Sequence, residues 1–252
     1  MCCFSRPVQS VTATNIFARS GAEGRQFLVY SMAIKAKEEL AMVLPLPVKP
    51  GSGEKAVEFI DLSDYKEFFG DMAKGFPERM TRSKVTILPG TPLPAAAPLE
   101  VISVGSFEAS FVPTLADFAR LDERFRLPPG SWETLPTYRN YGFAVFKLKP
   151  GEAKVHPMAF SFPRANPREL FFPTVHIHDG KLHDRADFDH NLYCQRAPAE
   201  RATLTDWEES PQLARAFMKV DKTRGLVYGT RHCHRRRIAG TRPNQDTILN
   251  FV

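Results

Sequence analysis

The residues with the most chemistry to offer lie in one short stretch. All seven histidines follow residue 155, and four of them fall in the run His176-Ile-His178-Asp-Gly-Lys-Leu-His183-Asp-Arg-Ala-Asp-Phe-Asp-His190. On a strand, His176 and His178 project to the same face, because side chains alternate with period two. The Asp179-Gly180 pair is a hairpin-turn signal that folds Leu182 and His183 back beside them. Imidazoles and carboxylates are the ligands that borderline and harder divalent ions take. The pattern therefore predicts a divalent-metal centre, zinc being one candidate, with His176, His178 and His183 or His190 as ligands. Asp184, Asp187 or Asp189 would be the general base. An ion held there polarises a carbonyl and acidifies a bound water, so the expected reaction is hydrolysis of a small lactone, ester or amide. The competing reading is a polar hairpin whose histidines bind nothing.

Cys2 supports a different mechanism. Removal of Met1 leaves an N-terminal thiol with its own α-amine as base, the nucleophile arrangement of amide-cleaving N-terminal hydrolases. Arg6 and Arg19 supply positive charge that lowers a thiol pKa. A third reading is a non-catalytic metal-binding or envelope-associated module. His232-Cys233-His234 places two imidazoles on one strand face, which is either a second ligand set or an ordinary edge strand. Cys194, close to His190, is either a soft ligand or a small buried residue.

Composition narrows the setting. The chain has 252 residues, with 34 Lys+Arg against 28 Asp+Glu, a net charge of +6. Hydrophobic content of 43% and charged content of 25% are those of a folded globular protein, not of a disordered one. The length suffices to bury a core as a single domain over 1–252. Four cysteines, Cys2, Cys3, Cys194 and Cys233, are too few for a disulfide scaffold. No apolar run approaches a membrane span and no signal peptide is visible, so the default compartment is cytoplasmic. Arg235-Arg236-Arg237 is the one compact basic run. No zinc finger, helix-turn-helix or RNA-binding signature accompanies it, which argues against a nucleic-acid partner. The expected partner is a small-molecule substrate, and the sequence sets no oligomeric state.

The elements that must position these residues read mainly as antiparallel strands. Gln26 to Ile34 and Leu40 to Val48 are rich in β-formers, and Pro45 and Pro47 suit an edge or a strand exit. Glu100 to Val112 reads as one long strand. Tyr141 to Lys149 alternates cleanly, and Pro150-Gly151 turns it into Lys154 to Phe162 as a β-hairpin. Leu170 to His178, Gly225 to Tyr228 and Arg231 to Ile238 are further strands. Helices are expected from Ser63 to Lys74, from Thr114 to Phe125, and from Ser210 to about Lys222. Residues 86 to 99, with Pro89, Pro92, Pro94 and Pro98, read as a Pro-rich loop. The expected fold is α+β, mainly antiparallel sheet with two or three packed helices.

The order of these pieces resembles a family of uncharacterised bacterial proteins, domain of unknown function 2330. The likeness is carried by Cys2-Cys3 with Pro7, the strand pair ending in Val43-Leu-Pro-Leu-Pro-Val48, and Val104-Gly-Ser-Phe-Glu108. It continues through Tyr138 to Lys149 into His156-Pro-Met-Ala-Phe160, covering about residues 2 to 178. The resemblance implies a mixed α+β domain and assigns no function. The histidine-rich region after 174 falls outside its pattern.

Overall fold

The computed structural model of the chain describes residues 2–77, 102–104, 107–127, 132, 135–149, 151–154, 156–177, 182–197 and 200–251. The Pro-rich loop expected at 86–99 lies outside the described residues.

Strands β1 (Cys2–Phe4), β4 (Leu40–Leu46), β6 (Ile102–Val104), β7 (Phe107–Val112), β8 (Gly142–Leu148) and β12 (His176–Ile177) form a six-stranded sheet in the order β12-β1-β4-β8-β7-β6. An eight-stranded sheet contains β2 (Ser10–Ser20), β3 (Arg25–Ala36), β5 (Glu58–Ile60), β9 (Gly151–Lys154), β10 (Met158–Pro163), β13 (Arg185–Gln195), β14 (Glu208–Glu209) and β15 (His234–Pro243). Its order is β14-β15-β13-β2-β3-β10-β5, with β9 also on β3. A third, two-stranded sheet pairs β11 (Glu169–Phe172) with β16 (Thr247–Asn250).

The two large sheets pack face to face. Met42, Leu44 and Phe146 from the first share one buried cluster with Ile16, Leu28, Tyr30 and Phe160 from the second. Both outer faces are covered as well. Ala41, Val43, Phe143 and Val145 lie under Phe118, Leu121, Phe125 and Tyr138. Phe17, Val29 and Tyr193 lie under Phe68, Phe69, Met72 and Leu226. Double-sided burial explains why β4 reads as a continuous apolar run instead of an alternating one. Pro45 sits in β4 beyond the reach of β1, which pairs only at Met42 and Val43, so its missing N–H costs that ladder nothing.

This architecture corrects the α+β expectation. Among the described residues there is one α-helix, α1 (Phe68–Lys74). The 114–125 segment forms two 3-10 stretches, Leu115–Arg120 and Glu123–Phe125. The 210–222 segment forms two 3-10 turns, Ala214–Ala216 and Val220–Thr223, and 225–228 is not a strand. The apolar stripes were real, but they lie over sheet faces that need only short covers. The predicted 141–162 hairpin is also replaced. β8 pairs with β4 and β7, whereas β9 and β10 pair with β3 in the other sheet. The chain changes sheets between β8 and β9. The long strand expected over 100–112 is an antiparallel pair, β6 with β7.

Candidate functional site

The sheet junction at His176 is where the sequence-flagged residues meet. β12 joins the edge of the six-stranded sheet by pairing in parallel with β1, Cys2 opposite His176 and Cys3 opposite Ile177. Ile177 packs on the outer face of that sheet, so period two sends His176 inward. His190 lies on β13 of the other sheet, in register with Ile238. Its neighbours at 188, 192 and 194 are buried on the inner face. The two imidazoles meet between the sheets, Nε2 to Nε2 at 2.8 Å, with ring centroids 4.7 Å apart. Phe188 closes the cluster, its ring 4.5 Å from that of His176 and 5.1 Å from that of His190. One Nε2 donates and the other accepts, so at least one ring must be neutral.

A turn from the C-terminal region fixes β12. Asn244 uses its side-chain amide as a strand would. Its Oδ1 accepts the His176 N–H at 2.7 Å, and its Nδ2 donates to the carbonyls of His176 and His183, both at 2.9 Å. Asp246 Oδ1 accepts the N–H groups of Thr174 (2.8 Å) and Val175 (3.0 Å). Its Oδ2 accepts the Tyr138 hydroxyl at 2.6 Å. Burial, reinforced by Asp246, pushes the Tyr138 phenol above its ordinary value, so it stays a donor. Neither Asn244 nor Asp246 was singled out from the sequence. The available signal was the Pro-Asn-Gln-Asp-Thr cluster at 243–247, a composition of residues that hydrogen-bond local backbone in turns.

The remaining predicted site residues do not converge on this pair. On β13 the even positions point inward, so Asp187 and Asp189 project to the opposite face from His190. Asp187 accepts from the Thr241 hydroxyl on the adjacent strand. Asp189 accepts from the N–H of Ala13, a bulge residue of β2 held at φ +52°. Asp184 and His183 are exposed, and their main-chain carbonyls accept from Asn244. His178 and the Asp179-Gly180 turn lie outside the described residues. Cys2 is a main-chain partner of His176 in a strand flanked by β12 and β4.

The other histidines and cysteines are likewise absorbed into the fold. Cys3, Cys194 and Cys233 are buried free thiols. Cys194 packs in the inner cluster and Cys233 in the outer one over α1. Burial pushes the Cys233 thiol up to about 12 and raises that of Cys194, so neither is a ready nucleophile or ligand. His234 is buried, and desolvation lowers its pKa, with Arg196 and His232 adding to the effect against Glu209.

The metal-assisted hydrolase expectation is therefore corrected. Among the described residues no group of three or more His, Cys, Asp or Glu side chains could hold a metal ion. The histidine contact itself leaves no gap for one, Asp187 and Asp189 sit on the far face of β13, and Asp184, just before that strand, is exposed. No helix among the described residues is long and apolar enough to cross a membrane.

No protein-family model matches the chain, and no curated protein matches it. Solved structures do. The crystal structure of baculovirus P35 is similar over 96% of this chain and 97% of that one, with a TM-score of 0.50 and 13% identity. A mutated baculovirus P35 after caspase cleavage is similar over 96% of this chain and 100% of that one, with a TM-score of 0.50 and 12% identity. At this identity the likeness is one of fold. It places the architecture with that of a β-rich viral protein.

Proposed function

We propose that this chain is a protease-engaging protein, a binding partner and cleavage target of a caspase-type cysteine protease. The observation that carries the reading is the end-to-end correspondence of fold with baculovirus P35, including a form of P35 solved after caspase cleavage. Its physical basis is a β-sandwich covered on both outer faces as well as between its sheets, because strands held by ladders on both sides keep their places after a single backbone cut elsewhere. The chain's own chemistry agrees. His176 and His190 are hydrogen-bonded to each other between the sheets, and Cys3, Cys194 and Cys233 are buried free thiols.

The test is incubation of the purified full-length chain, in stoichiometric ratio, with a panel of caspases and other cysteine proteases. Residual protease activity on a fluorogenic peptide and the intact mass of the chain are followed together. The expected result is loss of activity of at least one protease with a single discrete cut in this chain, the fragments remaining associated on gel filtration. Full protease activity with an uncut chain across the panel overturns the reading, and so does digestion to many fragments.

A further inference from the structure

One end of the eight-stranded sheet gathers positive charge that the protease reading does not use. His234, the first residue of β15, lies opposite Cys194 on β13 and opposite Glu209 on β14, so the three share one face of the sheet. Arg196, two residues past Cys194, and His232, two before His234, extend that face by one step of the alternation. Arg196, Glu209, Thr230, Arg231, His232 and His234 together line a cavity of 320 Å³. The loop that brings Arg231 to it is pinned to the end of β13. Gln195 accepts the Tyr228 N–H at 2.8 Å and donates to the carbonyls of Tyr228 and Arg231 at 3.0 and 3.4 Å. The Arg231 carbonyl also accepts the Ala214 N–H at 2.8 Å. The walls are therefore in place before anything binds.

Donors outnumber acceptors in this cavity. His232 Nδ1 stands 2.7 Å from the Ser210 carbonyl, which makes that nitrogen a donor. Glu209, the single carboxylate of the lining, is exposed and stands 3.8 Å from His232. Among the described residues the guanidiniums of Arg196 and Arg231 enter no hydrogen bond or ion pair. Neither does the His234 imidazole, although His234 is only 6% exposed. Buried polar groups are nearly always hydrogen-bonded, so an unpartnered imidazole in a cavity wall marks a place for a ligand. Arg196 and His232 act together against a further positive charge on His234, and Glu209 opposes them. With two guanidiniums and one carboxylate the cavity is positive even when both imidazoles are neutral, which repels a metal cation and attracts an anion. The donors come from separate segments, and an acceptor with oxygens in several directions satisfies them best. Guanidiniums pair with such phosphate-type groups through paired N–H bonds.

We propose that this cavity binds a small tetrahedral oxyanion of the phosphate class. Arg196 and Arg231 hold its charge, the His234 imidazole and the Thr230 hydroxyl complete its hydrogen bonds, and Glu209 limits its affinity from the rim.

Isothermal titration calorimetry of the intact chain with inorganic phosphate, in a chloride-containing zwitterionic buffer, tests this. Phenyl phosphate and acetate are titrated in parallel. The expected result is saturable binding of one phosphate per chain, weakened at least about tenfold by Arg196→Gln and by Arg231→Gln. Glu209→Gln should tighten it. Arg237→Gln, which removes the same charge outside the cavity, should leave it within about twofold. The melting temperature should rise with phosphate in the unaltered chain, because a ligand of the folded state stabilises it by mass action, and should not rise in Arg196→Gln. Melts without phosphate show that each variant is folded, and Glu209→Gln at an exposed position keeps the test valid if an arginine variant is not. Phenyl phosphate binding as well as phosphate supports a site for phosphate monoesters, and binding of phosphate alone supports a site for the free ion. Equal binding of acetate, or an equal loss with Arg237→Gln, overturns the site in favour of nonspecific anion attraction. Absence of phosphate binding at millimolar concentration overturns it outright.

Discussion

Two polar regions of this molecule have opposite fates. At the sheet junction, His176, His190, Asn244 and Asp246 face one another and the backbone, and each named contact joins one part of the fold to another. Along the outer half of β15, Arg236, Arg237 and Arg242 line a groove open to solvent. Arg19 shows how far the first fate can go for an arginine. It is buried, donates to the carbonyls of Leu226, Ser20 and Gly225 and to the Tyr228 hydroxyl, and lies over the rings of Phe27 and Tyr228. Burial lowers its pKa, opposed chiefly by Tyr228. The comparison teaches that a side chain's charge says little about its use. What decides is whether the sheets put it between elements or at an edge.

That comparison can be broken by mutation. The largest effect is expected at Arg19. Arg19→Met keeps much of the stem but strands buried carbonyls, and should cost about 3–4 kcal/mol in chemical denaturation. A loss within error would mean that the 225–228 segment is not anchored by this guanidinium. Asn244→Ala removes three bonds to the His176 and His183 backbone, and about 2 kcal/mol should be lost. Faster amide exchange at His176 and Ile177 should accompany it, while the β3–β10 ladder stays protected. Uniform exchange throughout would instead show that the turn does not hold β12 in particular.

The histidine pair should yield a smaller quantity. A double-mutant cycle on His176→Ala and His190→Ala should give a coupling energy of about 1 kcal/mol, the size of one hydrogen bond between facing side chains. Additivity would show that the two rings touch without stabilising each other.

Acid gives a subtler test at the start of β15. His234 is held below the ordinary histidine value of 6.5, by burial first and by the nearby Arg196 and His232 next. The unfolded chain takes up this proton as pH falls through 6.5, whereas the folded chain resists it. Its contribution is therefore full above that pH and lost progressively below it. The melting temperature should fall between about pH 7.5 and pH 5.5, and His234→Gln should shrink that difference. An unchanged difference would place the sensitivity elsewhere, for example at His156, which burial shifts in the same direction. Smallest of all, Arg237→Gln at the exposed edge should change stability by less than about 0.5 kcal/mol, the mirror image of Arg19.

Much of the local structure was legible in the chain. Richness in β-formers identified the strand at Gln26 to Ile34, and period two identified the alternating faces of 141–149, because a strand's pleat imposes that spacing whatever its partner. The strand-like run Leu170 to His178 also put His176 on a strand. The sequence could not show which strands are partners. Tyr141 to Phe162 reads as a hairpin because neighbours in sequence usually pair, yet β9 and β10 cross to the other sheet, where Leu28 and Tyr30 lie beside Phe160 in the shared core. The apolar stripes at 114–125 and 210–222 suggested helices, since helix and 3-10 covers place similar residues on a buried side.

The same limit governed the site. A run of histidines and aspartates determines which ligand atoms are present along the chain, and sequence alone established that. It could not place Asp187 and Asp189 on the face of β13 away from His190, nor bring Asn244 from the far end of the chain to the His176 backbone. Those outcomes follow from sheet pairing, which depends on contacts between residues far apart in sequence. Spacing along one strand determines its two faces, and only the assembled sheets decide which face meets a partner, which meets the core and which is left at an edge.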